Sequence, residues 1–134
     1  MAQALNPNRA GLQVISDNGP DGSRVGAEKN IFIGRNELAK GADIASATSI
    51  TLGDGNYFEL TGSNPLTTIV TDGWQIGSVI RLHLPSTVTI SLTDGNLKGV
   101  GGSFSPTEAT GGNITFILHD ETNWHETSRA DLTS

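Results

Sequence analysis

No cysteine occurs in the 134 residues, which excludes disulfide-stapled scaffolds, thiol nucleophiles and thiolate metal sites. Charge is sparse, at 16% of residues against roughly a quarter in an average globular protein, so the chain does not have the make-up of a charge-solvated disordered segment. Eight Lys and Arg stand against fourteen Asp and Glu, a net charge of -6. The basic residues are scattered, and without a cluster to neutralise phosphates no nucleic-acid partner is expected. No apolar run reaches the length of a membrane-crossing helix, so no membrane partner is expected either. The opening MAQALNPNRAG has neither the basic segment nor the apolar run of a secretory signal. Aromatic residues are 5% and hydrophobic residues 35%, a lean supply for any core.

Gly, Ser and Thr fill the space instead, 44 residues together, a composition that suits short strands and tight turns better than helices. Residues 1–41 read as an extended arm. Its apolar residues come in islands, Leu12-Gln13-Val14-Ile15 and Ile31-Phe32-Ile33, parted by Asn18-Gly19-Pro20-Asp21-Gly22-Ser23, a pair of strong turn formers. Asn36 to Gly41 has the cap and terminator of one helical turn.

Residues 42–134 change character. Ile50/Leu52, Phe58/Leu60, Leu66 to Val70, Ile80/Leu82/Leu84, Val88/Ile90/Leu92, Ile114/Phe116/Leu118 and the run from Asn123 to Ser128 make about seven short segments of period two, with Asp-Gly, Gly-Ser-Asn-Pro and Pro-Ser turns between them. That spacing predicts a mainly-β fold, a small antiparallel β-sandwich or jelly-roll-like barrel, and not βαβ units. The inward set is Ile50, Leu52, Phe58, Leu60, Ile69, Ile80, Leu82, Leu84, Val88, Ile90, Leu92, Ile114, Phe116, Leu118 and Trp124. These fill one thin core and leave nothing to hold the arm. Seven apolar residues of the arm, Leu5, Leu12, Val14, Ile15, Ile31, Phe32 and Ile33, therefore need another body to land on. At about 1.5–3 kcal/mol each for full burial they represent a gross figure on the order of 10–20 kcal/mol, less a large ordering cost.

The span from Ala45 to Arg129 resembles a β-rich module of tailed-bacteriophage structural proteins, found in tail fibres and other proteins displayed on the virion. The matching positions are Ser49-Ile50-Thr51-Leu52, Gly55 through Gly62, Thr67-Thr68-Ile69, Gly77 leading into Val79-Ile80-Arg81-Leu82, Val88-Thr89-Ile90, Leu97, Gly101-Gly102, Phe116, and the closing Trp124 before Ser128-Arg129. The arm matches nothing in that module. The resemblance implies a non-enzymatic component of the outer surface of the particle, with no cofactor. It is typically a homotrimer, mounted through its N-terminal part. The short chain, without fibre shaft or repeat, points among these to a capsid decoration (cement) or head-fibre protein. Its arm would then lie on the major capsid protein or another virion protein. A tail-fibre or receptor-binding module recognising host surface glycan is the alternative.

Chemistry-bearing residues are few. His83, His119 and His125 are the only histidines; His119 and His125 flank a turn and would face each other in a hairpin, but outward-facing strand positions are the simpler reading and no metal site is expected. Asp120, Glu121 and Glu126 read as solvated turn charges rather than a glycosidase pair, which needs two carboxyls flanking a cleft. Gly99-Val100-Gly101-Gly102 lacks the Lys-Ser/Thr of a phosphate loop. The Asp-Gly pairs at Asp21, Asp54, Asp72 and Asp94 read as turns, too far apart in sequence to share a calcium ion. No Gly-x-Ser-x-Gly elbow is present, and no catalytic residue is expected. Trp74, outside the alternation in Asp72-Gly73-Trp74, reads as a lid on one end of the core, an interface anchor or a sugar-stacking platform. Trp74, His119 and His125 are thus the interface or ligand-facing candidates.

Overall fold

A computed structural model describes residues 38–132. These belong to the second of the two units into which the chain divides, Glu37–Ser134. The anchoring candidates Leu5, Leu12, Val14, Ile15, Ile31, Phe32 and Ile33 lie outside the described residues.

Ten strands and no helix are found among the described residues: β1 (Ile44–Ala45), β2 (Ser49–Ile50), β3 (Tyr57–Thr61), β4 (Thr68–Ile69), β5 (Val79–Leu84), β6 (Ile90–Ser91), β7 (Leu97–Lys98), β8 (Ser103–Phe104), β9 (Gly112–Leu118) and β10 (Trp124–Asp131). The mainly-β expectation holds. A curled six-stranded sheet runs β1-β3-β5-β9-β10-β7, with β2-β4 and β6-β8 as separate pairs.

Strand direction differs from the expected antiparallel arrangement. Pairs β1–β3, β3–β5, β2–β4 and β7–β10 are parallel, and only β5–β9, β9–β10 and β6–β8 are antiparallel. Parallel neighbours need a long crossover, usually a helix. Here the crossovers are residues 46–56 and 62–78, which carry β2 and β4 as a second wall. The chain coils, laying Ile44 beside Leu60, Tyr57 beside Arg81, Ile50 beside Ile69 and Leu66 beside Ile90. Alternation of apolar residues fixes which face is inward; it carries no information on strand direction.

The helical turn expected over Asn36 to Gly41 is also corrected for its described part. Lys40 bridges Tyr57 in parallel, Gly41 N–H donates to the Tyr57 carbonyl at 2.7 Å, and Asn56 N–H donates to the Ala39 carbonyl at 2.8 Å. Backbone pairing across the coil outcompetes a single helical turn, which cannot persist alone.

All fifteen residues of the inward set are buried, joined by Leu66, Leu97 and Phe104. Of the three additions, Leu66 opens its segment out of step with Ile69, Leu97 follows the Asp94 turn and Phe104 lies in the glycine-rich stretch, so alternation does not single them out. One device closes the second wall. The Asn96 side chain lies against β4 as a strand would: Ile69 N–H donates to Asn96 Oδ1 at 2.9 Å and Asn96 Nδ2 donates to the Ile69 carbonyl at 2.7 Å. The indole N–H of Trp124 donates to that carbonyl at 3.2 Å.

Candidate functional site

The parallel pairing of β2 on β4 puts Ile50 level with Ile69. A few residues further on, both segments leave their strands in Asp-Gly turns, Asp54-Gly55 and Asp72-Gly73. The two turns border an open hollow of about 320 Å³, lined by Leu52–Gly55 and Asp72–Trp74. Added Cβ atoms at Gly53 and Gly73 would meet nothing within 4 Å, so the glycines leave open space. Trp74 is half-buried and packs edge-to-face on Trp124, ring centroids 5.8 Å apart at 73°. Its N–H of the backbone donates to the Thr71 carbonyl, and the Thr71 hydroxyl donates to the Glu121 carbonyl, tying this turn to the β9–β10 hairpin.

Asp54 and Asp72 are exposed and have no cationic partner among the described residues, whose ion pairs are Lys40–Asp43 and Arg129–Glu126. Among the described residues, 38–132, ten Asp and Glu stand against four Lys and Arg, an acidic setting for both. The reading of these Asp-Gly pairs as turns is right locally. Sequence distance is a poor guide to their separation in space, because coil stacking brings residue 54 and residue 72 to one hollow.

His119 and His125 meet across their turn, stacked with ring centroids 4.0 Å apart and 12° between planes. His83 is elsewhere, its Nε2 2.9 Å from the Thr110 carbonyl. Among the described residues no group of three or more His, Cys, Asp or Glu is arranged to hold a metal ion.

The three carboxylates weighed for acid–base chemistry do not share a site. Asp120 Oδ1 accepts from the backbone N–H groups of Thr122 and Asn123 at 2.8 and 2.7 Å, and from the Thr122 hydroxyl. The Thr122 and Asn123 donors hold its carboxyl far below the usual carboxylate range, so it staples the turn. Glu121 is exposed. Glu126 is gripped by Arg129 and accepts from Val100 N–H at 3.1 Å; the Arg129 hydrogen bond lowers its pKa. Arg129 also donates to the Val100 carbonyl at 2.6 Å and lies over the Phe104 ring, 5.0 Å from its centroid. The Gly99–Gly102 loop is thus pinned by a buried-edge ion pair, not shaped to cradle phosphate. Val100 at its tip is 79% exposed.

Asp131 is likewise lowered, first by the Thr107 hydroxyl. All three pKa values, Asp120, Glu126 and Asp131, are depressed on folding. Their stabilisation is therefore complete above the unfolded carboxylate range and is lost as pH falls through their folded values. The thermal midpoint should hold steady near neutrality and fall below about pH 4. Asp120→Asn should start lower and show a shallower acid slope; an unchanged slope would contradict the turn-staple role.

No protein-family model matches this chain, and no curated protein is significantly similar to it.

Proposed function

We propose that this protein is a non-enzymatic structural component displayed on the outer surface of a tailed-phage particle. In this reading it is a homotrimeric capsid decoration or head-fibre protein, whose residues 1–41 bind the major capsid protein or a neighbouring virion protein. The observation that carries the reading is the role of the positions on which the resemblance rests. Ile50, Leu52, Phe58, Leu60, Ile69, Ile80, Leu82, Val88, Ile90, Leu97, Phe116 and Trp124 are all buried. Gly55, Gly62, Gly77, Gly101 and Gly102 all take positive φ, a region other residues rarely enter. The shared pattern is therefore a pattern of core and turn positions. Its function would be mechanical: many copies bridging shell subunits and adding binding free energy to the shell. The test is co-sedimentation of the purified chain with empty heads and, separately, with tails of the same phage. Binding to heads at a fixed number of copies per particle is expected. Binding to neither overturns the proposal, and binding to tails alone moves the protein to the other end of the particle.

A second reading, a tail-fibre or receptor-binding module that recognises host surface glycan, is favoured by one observation. The hollow beside Trp74 combines an aromatic wall, two carboxylate acceptors and open glycine turns, the elements of a small polar-ligand site. His119 and His125, stacked on the β9–β10 hairpin, have no part in that hollow.

A further inference from the structure

We infer that the hollow between the Asp54-Gly55 turn and Trp74 selects a cationic sugar, a hexosamine residue whose amino group is free. The inference rests on the glycan-recognition reading and adds the class of sugar. Three features of the site carry it together. The hollow is concave, and its volume of about 320 Å³ sits at the small end of the range for small-molecule sites, a size for one or two sugar rings and not for a chain of them.

The aromatic wall is set before any ligand arrives. Trp74 packs in a T-shaped pair with Trp124, and Trp124 is itself fully buried and hydrogen-bonded to Ile69. A ring held this way loses little freedom on binding, and an indole bordering the hollow suits the C–H side of a pyranose and attracts an ammonium.

The two carboxylates then decide the charge of the ligand. Ionised Asp54 and Asp72 only accept hydrogen bonds, so they suit sugar hydroxyls and an ammonium and repel a sugar acid. No described cation neutralises them, and the body around them is acidic. N-acetylation of the amine would remove the charge the carboxylates attract and leave a bulkier neutral group. The preference is thus for the free amine over both the neutral and the acidic sugar.

The test titrates the full chain, labelled with nitrogen-15, with glucosamine, glucose, N-acetylglucosamine, glucuronate and methylammonium. Glucosamine should shift the amides of residues 52–55 and 72–74 and bind at least ten-fold tighter than glucose or N-acetylglucosamine, with the margin shrinking as salt is raised. Glucuronate should leave these amides unmoved. The paired substitution Asp54→Asn and Asp72→Asn, at two exposed turn positions, should level glucosamine with glucose while the thermal midpoint stays within a few degrees.

Equal affinity for glucose and glucosamine overturns the charge selection and leaves glycan recognition standing. Methylammonium binding as tightly as glucosamine overturns the sugar, since the ring then contributes nothing. A preference that survives the double substitution overturns the part given to Asp54 and Asp72. No shift at these amides with any of the saccharides overturns both the inference and the glycan reading it rests on.

Discussion

Trp124→Ala should cost about 3–5 kcal/mol of folding stability, the usual range for truncating a large buried aromatic. That is a large share of the 5–15 kcal/mol typical of a domain. Trp124 is fully buried where the curled sheet meets the second wall. Its backbone pairs in register with Leu118 on β9 and Leu97 on β7, while its indole donates to the Ile69 carbonyl on β4 and packs against Trp74. Trp124→Phe keeps most of the apolar volume and loses the N–H donor, so it should cost roughly 1–2 kcal/mol. Urea titration followed by circular dichroism measures both. Equal, small losses for the two variants would contradict the role of Trp124 as the link between the walls. The Ala variant should also broaden or shift the amides of residues 72–74, because the support under Trp74 goes with it.

Gly95→Ala should be the most damaging change among the Asp-Gly turns, costing about 3 kcal/mol or more. A Cβ on Gly95 would stand 1.9 Å from the Thr67 carbonyl oxygen and 2.6 Å from the Thr68 hydroxyl. The third turn is pressed against the chain one coil earlier, where Asn96 completes the β4 ladder. The obstacle is backbone, which cannot swing aside. Gly53→Ala provides the contrast: its Cβ would meet nothing within 4 Å, and a change of less than about 0.5 kcal/mol is expected, as for an ordinary surface position. Chemical denaturation of the two variants side by side measures the difference. A mild Gly95→Ala would mean that the coils are not stacked as tightly as described.

That contrast marks the limit of what the residues disclose by themselves. Gly53 and Gly95 each stand beside a turn aspartate, Asp54 and Asp94, and only the parallel stacking separates them. Alternation was enough to bring out the seven longer segments and fifteen core residues, because a half-buried strand must place one side chain in two inward. It was silent on β1, β7 and β8, whose large apolar residues Ile44, Leu97 and Phe104 have no large apolar residue two places before or after them, save a proline, to make a period. It was silent on direction too, since a parallel and an antiparallel strand alternate identically.

The hollow beside Trp74 was hidden for the same reason: Asp54 and Asp72 come to line one hollow through the offset between β2 and β4, not through nearness in the chain. The one trace is that Asp-Gly recurs at 54, 72 and 94, a spacing close to the offsets of the parallel pairs. Trp74 stood out because it breaks the alternation. The meeting of His119 and His125 was legible because a hairpin turn leaves its flanking residues face to face.

The claim at the centre is that residues 38–132 form a self-sufficient body carried on a virus particle by the segment before them. Deleting residues 1–35 and measuring occupancy on empty heads tests it most directly. The truncated protein should retain the circular dichroism spectrum and cooperative unfolding of the β body yet fail to bind heads that the full chain saturates. A truncated protein that still decorates heads at full occupancy would contradict the account.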